Sequence, residues 1–198
     1  MCGISGQISF NKPVNEDLAL KLSGTLSHRG PDDKGMYISK TKKCVLAHRR
    51  LSIIDPSVYG KQPMFSQDKK NIVVFNGAIY NFKEIRNYLK KKGISFSTDS
   101  DTEVVANSYM HWGKKMFNYF DGMWAISIYD EEKNEIVLSR DYVGQKPLFY
   151  LKREDCIYFS SSLRSLSADK KNIFEIDKNN LKKFLITSYL SAPHTLYK

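Results

Sequence analysis

Met1-Cys2-Gly3-Ile4-Ser5-Gly6-Gln7-Ile8-Ser9-Phe10 opens the chain, and the reading of this stretch decides the fold. Apolar and polar residues alternate over residues 3–10, which predicts a strand, and Cys2 stands at its entrance. Removal of Met1, a step that a small second residue permits, makes Cys2 the N-terminus. One residue then carries a thiol and a free α-amine, with ordinary pKa values near ~8.5 and ~8. Such an amine can act as the base for its own thiol, and no histidine is needed. The plainer alternative is a small buried thiol at the start of a strand.

Further strands are expected at residues 35–39, 44–48, 72–76, 123–129, 135–141, 148–152 and 156–160. Two of them, 123–129 and 135–141, read as a hairpin around residues 131–134. Several runs are apolar on successive residues, so both faces of those strands should be covered. Helical spacing appears at residues 15–26, 82–92, 100–112 and 179–189. Asn81 and Ser100 are expected N-caps, with Glu103 at the capping-box position and Asp177 a cap just ahead of the last helix. Strands and helices come in blocks rather than in strict alternation, which predicts an α+β fold with mostly antiparallel sheets. The tail, residues 191–198, is expected to form no element.

The chain has 198 residues, enough for one domain or one and a fragment. A hydrophobic content of 41% makes it an ordinary globular sequence rather than a disordered one. No long apolar run suggests a membrane span, and no basic-then-apolar start suggests a signal peptide. Cys2, Cys44 and Cys156 show no CxxC spacing, which argues against a disulfide framework and a zinc site and suits a reducing cytoplasm. The formal charge of +10 raises nucleic acid as a partner. The positive runs, however, are short and made of lysine, as at Lys90-Lys91-Lys92 and Lys170-Lys171. A solvated basic face explains them, and no nucleic-acid partner is expected.

Several motifs stand in a fixed order: MCGISG at 1–6, HRGPDDKG at 28–35, LAHRRLSIID at 46–55, QPM at 62–64, FNGAIYNF at 75–82, SDTEVV at 100–105, FDGMWAISIYD at 120–130 and SRDYVGQKPLFY at 139–150. Together they resemble the class II glutamine amidotransferases, in particular the N-terminal glutaminase half of glutamine-dependent asparagine synthetases. The likeness runs the whole length of the chain. It implies the N-terminal-nucleophile hydrolase arrangement, a four-layer α/β/β/α sandwich of two antiparallel sheets between helical layers.

The resemblance also implies roles. Cys2 would attack the side-chain amide of L-glutamine, with its own α-amine as general acid and base, giving a thioester and ammonia. Asn76 (side-chain amide) and Gly77 (backbone N–H) would form the oxyanion hole. From the residues alone, Asn-Gly reads equally well as a type I′ turn. Arg50 would grip the α-carboxylate, with its neighbour Arg49 at the surface. Leu51, Ser52, Ile53 and Ile54 resemble the loop lining the substrate site, beside Ala78. Asp101 would take the α-ammonium, and as a first-turn carboxylate it also suits the helix dipole. In HRGPDDKG, Arg29, Asp32 and Asp33 read as loop-ordering ion pairs and His28 as structural. Asp121, Gly122 and Asp141 read as scaffold, and Cys44 and Cys156 as inert core thiols.

Two positions depart from the resembled pattern. Close relatives read Asn-Gly-Glu where this chain has Asn76-Gly77-Ala78, and a glutamate is usual at Ser162. Both changes remove an acid. No SGGxDS loop for ATP is present, nor a Walker-type loop. Residues 1–190 are therefore expected to be a glutaminase domain and residues 191–198 the start of a linker into a covalently attached synthetase domain. ATP and magnesium would belong to that domain, and no metal or cofactor to this one. A homodimer is compatible with the resemblance. The alternatives are a diverged amidotransferase with another acceptor, such as a sugar acid, and an inactive amino-acid-binding regulatory domain.

Overall fold

The computed structural model describes residues 1–55, 57–169 and 174–198, and Lys170-Lys171 lies outside them. In chain order the elements are β1 (Gly3–Ser9), α1 (Glu16–Gly24), β2 (Asp33–Ile38), β3 (Cys44–Arg50), β4 (Met64–Phe65), β5 (Asn71–Ile79), α2 (Phe82–Lys91), α3 (Asp101–Trp112), β6 (Gly122–Asp130), β7 (Glu135–Arg140), β8 (Phe149–Lys152), β9 (Cys156–Ser160), α4 (Leu163–Leu166) and α5 (Lys178–Thr187). The first sheet has the order β2-β3-β1-β9-β8 and the second β4-β5-β6-β7. Every strand pairing is antiparallel.

Period-two alternation sorts the strand side chains into layers. On β3, Cys44 and Leu46 point inward. They join Ile4 and Ile8 of β1, Ile72 and Val74 of β5, and Tyr129 of β6 in a core between the sheets. Val45 points the other way, against Val14 and Ala19 at α1. On β5, Val73 and Phe75 turn outward and pack with Leu89 of α2 and Val104 and Val105 of α3. Ser165 Oγ of α4 donates to Leu22 O at 2.9 Å and adds α4 to the α1 layer. The result is a four-layer α/β/β/α sandwich, as the motifs imply. Fully covered strands such as β1, buried at every residue, follow from having a layer on each side.

The hairpin at residues 131–134 forms, with Asp130 opposite Glu135. Three local expectations are corrected. Asn81 stands at the N-cap of α2, but its side chain makes no cap bond; its amide instead donates to Tyr119 O at 2.9 Å and accepts from Asp121 N at 3.1 Å. Ser100 does cap α3, accepting from Thr102 N at 3.0 Å, but Glu103 does not reach back to it. The Glu103 carboxylate takes the N–H and hydroxyl groups of Ser97 and Thr98, at 2.7–3.0 Å. Those four donors outcompete a single N–H at the cap. The tail also pairs locally: Tyr197 bridges Ile176. Asp177 caps α5 as expected.

Candidate active site

The register of β1 on β3 sets Gly3 opposite Arg49, so Cys2 and Arg50 come side by side at one end of the first sheet. Cys2, two residues before Ile4, shares the alternation that faces the second sheet. Its sulfur lies 3.4 Å from Leu51 N, which donates to it, and 3.6 Å from Leu51 O. Arg29 Nε donates to Cys2 O at 3.0 Å and fixes the backbone there. Burial pushes the Cys2 thiol above its ordinary value, while the Leu51 N–H, the chain-terminal amine and Arg50 pull it down. The sulfur is therefore largely protonated at rest and needs a base.

Arg50 is buried. Nη1 donates to Ser57 O at 2.8 Å and Nη2 to Asp55 O. Gly60 sits so close that a Cβ there would overlap the guanidinium. Among the described residues Arg50 forms no ion pair. The charge is held rigidly by neutral carbonyls and remains open to an anion.

Asn76 and Gly77 lie inside β5, opposite Ala125 and Trp124 of β6, and form no turn. Alternation then fixes which way each backbone group points. Phe75 N donates to Gln62 Oε1 at 2.6 Å and Ile79 N to Asp101 Oδ2 at 3.2 Å, both away from β6. Tyr80 N turns the other way, to Asp121 O at 2.7 Å. Gly77 N–H, midway between Phe75 and Ile79, therefore leaves on their side. β4 ends at residues 64–65, too early to cover it. Asn76 Nδ2 is buried and has no hydrogen-bond partner, an uncommon state for a buried amide. A Cβ at residue 77 would overlap Met123 O and the Phe75 ring, so only glycine fits.

Asp101 begins α3, buried, with its carboxylate on Ile79 N. Burial raises its pKa from 3.8 to about 6, against the pull of the Ile79 and Thr102 N–H groups. That rise corresponds to roughly 3 kcal/mol of penalty on the ionised form. A raised folded-state value gives stability that is complete below about pH 4 and is lost as pH rises through about 6. We expect Asp101→Asn to raise the melting temperature at pH 8 and to leave it nearly unchanged at pH 4. Equal shifts at both pH values in thermal melts would mean that ionisation of Asp101 costs nothing.

These groups surround one cleft of about 190 Å³. Cys2, Arg50, Leu51, Ile53, Ile54, Asn76, Gly77, Ala78 and Asp101 all line it. Ser52 does not; its N–H is turned to Asp32 Oδ2 at 2.8 Å. That bond also corrects the role of Asp32. Asp33 does form an ion pair, to Lys61 at 3.3 Å, whereas Arg29 serves the Cys2 carbonyl. Arg49 is half-buried, its Nε on Ser23. Asp141 accepts from Trp124, Gln145 and Lys146 N–H groups, a scaffold role as expected.

Other lining residues were not anticipated, among them Gln62, Thr102 and Lys146. All three stand in the motifs given above, but only the folded chain brings them to the cleft. Lys146 Nζ lies 3.5 Å from Met1 Sδ. Among the described residues no group of three or more His, Cys, Asp or Glu side chains is placed to hold a metal ion. No helix among them is long and apolar enough to cross a membrane.

The sandwich and its thiol-bearing cleft are the arrangement that the motifs imply, and comparison with known proteins shows the family. A glutamine amidotransferase domain family matches residues 1–198. The chain is 35% identical to a putative asparagine synthetase [glutamine-hydrolyzing] 2 of Methanocaldococcus jannaschii, covering 100% of this chain and 41% of that protein. It is 37% identical to asparagine synthetase [glutamine-hydrolyzing] 1 of Bacillus subtilis, covering 99% of this chain and 31% of the relative. The structure of a glutamine phosphoribosylpyrophosphate amidotransferase from B. subtilis superposes with a TM-score of 0.72 at 20% identity, over 84% of this chain and 43% of that one. The protein belongs to the glutamine amidotransferase domain family, and it spans well under half the length of these relatives.

Proposed function

We propose that this chain hydrolyses the side-chain amide of L-glutamine to glutamate and ammonia, as the glutaminase part of an asparagine synthetase-like enzyme. The observation that carries the reading is the Asn76 amide, buried and unpartnered, beside the free-edge Gly77 N–H in the cleft of Cys2. A buried donor without an acceptor is costly unless an acceptor arrives during function. The oxyanion of an amide under thiol attack is such an acceptor.

The steps follow from the groups present. Arg50 binds the α-carboxylate of glutamine and Asp101 its α-ammonium, which sets the side chain along the cleft toward Cys2. The free α-amine of Cys2 takes the thiol proton as sulfur bonds to the amide carbon. The carbonyl oxygen becomes an oxyanion held by Asn76 Nδ2 and Gly77 N–H. The same ammonium returns its proton to the amide nitrogen, the C–N bond breaks and ammonia leaves. Water, deprotonated by the amine, then cleaves the thioester and releases glutamate. Ammonia passes to a covalently linked synthetase unit, where ATP and magnesium chemistry belongs; this half uses no metal or cofactor. The reaction belongs to amino-acid biosynthesis in the cytoplasm, where a thiol stays reduced, and all three cysteines here are free.

Purified chain incubated with glutamine should release glutamate. Asn76→Ala should cut kcat by about 10²–10³-fold, the cost of one oxyanion donor, with KM little changed. A kcat within a few-fold of wild type would remove Asn76 from the oxyanion hole. Ala78 favours a second reading, an amino-acid-binding domain without turnover, because the related glutamate would share the substrate ammonium with Asp101. Glutamine binding seen by calorimetry with no glutamate formed would select it.

A further inference from the structure

Gln62 stands where the edge of the second sheet breaks off. β4 pairs Met64 with Val73 and Phe65 with Ile72, so two more pairs of residues would set Gln62 opposite Phe75. At Pro63 the ladder stops. The Gln62 side chain takes over from the missing strand: its Oε1 accepts the Phe75 N–H at 2.6 Å. Because Phe75 N is a donor, the oxygen must face it, and Nε2 is left to reach Thr102 Oγ1 at 3.0 Å. Gln62, Phe75 and Thr102 are all buried.

These two bonds close a loop around the oxyanion donor. From Phe75 the path runs through Gln62 to Thr102, whose neighbour Asp101 holds Ile79 N at 3.2 Å. Gly77 lies between the two anchored points of β5. The first sheet clamps the same place. The buried His48 imidazole of β3 faces the Phe75 backbone. Gly35 of β2 lies so near the Gln62 carbonyl that a Cβ would overlap it. A single amide therefore joins the strand that carries Asn76 and Gly77 to the helix that carries Asp101.

We propose that Gln62 is a positioning residue for amide hydrolysis: it fixes the oxyanion donors of β5 relative to Asp101, acting through Phe75 and Thr102. The proposal rests on the glutaminase reading above. Gln62→Met keeps length and burial but removes both bonds. Its kcat for glutamine should fall about tenfold to a hundredfold, the scale of a small misplacement of catalytic groups, with KM changed less than threefold. Alkylation of Cys2 by iodoacetamide, followed by peptide mass spectrometry, should proceed within twofold of wild type, because that displacement forms no oxyanion. Thr102→Val should give a smaller loss, Thr102→Ser should restore the rate, and the Gln62→Met, Thr102→Val double variant should be no worse than Gln62→Met alone. Should Gln62→Met fail to fold, the Thr102→Val and Thr102→Ser pair carries the same comparison. A wild-type kcat in Gln62→Met, a joint fall of hydrolysis and alkylation, or a loss confined to KM would each overturn the proposal. A wild-type chain that turns over no glutamine would remove the glutaminase reading itself, and this inference with it.

Discussion

Cys2→Ala is expected to abolish glutamate release, with a loss of about 10⁴-fold or more, the scale seen when a covalent nucleophile is deleted. The fold should survive. Cys2 is only half-buried, and its sulfur's hydrogen bonds among the described residues are to the Leu51 backbone, so the stability change should stay near about 1 kcal/mol. Binding should survive as well, because Arg50 and Asp101 reach the cleft from β3 and α3 and do not depend on the sulfur. Glutamine should still raise the melting temperature of the variant. Intact-mass spectra of wild type quenched during turnover should contain a thioester adduct that the variant lacks. Residual turnover above roughly one per cent, measured as glutamate, would take Cys2 out of the nucleophile's place.

A chain that keeps Met1 should be equally silent, for two physical reasons. The nitrogen of residue 2 is then an amide, with no basic lone pair to receive the thiol proton, and burial already holds that thiol above its ordinary pKa. Met1 also lines the cleft, its sulfur near Lys146 Nζ and Arg29 Nη2, so it occupies space beside the nucleophile. Met1 is 54% exposed, which leaves it open to an aminopeptidase. Treatment with methionine aminopeptidase should switch activity on in step with the mass loss. The rate should rise with pH along a limb set by the α-amine, whose ordinary value is near ~8. An unprocessed chain, verified by mass, that hydrolyses glutamine at the processed rate would mean that another group is the base.

The strands were legible because apolar runs and two-residue alternation are local patterns that no tertiary contact needs to reveal. Residues 156–160 were read as a strand and form β9 over the same span. The caps were less legible, because a cap is a choice among competing partners. Ser100 found its N–H as expected, but Glu103 found four donors on Ser97 and Thr98, and the Asn81 side chain found Tyr119 and Asp121 at the entry to β6. The motifs pointed to Cys2, Arg50, Asn76, Gly77 and Asp101, and the fold brings all of them to one cleft. Ser52 was placed there by its position in a motif and is instead turned to Asp32. Gln62 stood in a quoted motif without a role, because its role exists only where β4 stops short of Phe75.

By itself the sequence determined which residues are candidates to bear the chemistry, because residue type and spacing are local properties. The tertiary structure alone decided which backbone N–H is free. Gly77 has an open edge because one neighbouring strand is two residues long, and strand pairing is a property of distant segments. It also decided the charges: Asp101 titrates near 6 and the Cys2 thiol is raised because other layers exclude water from them.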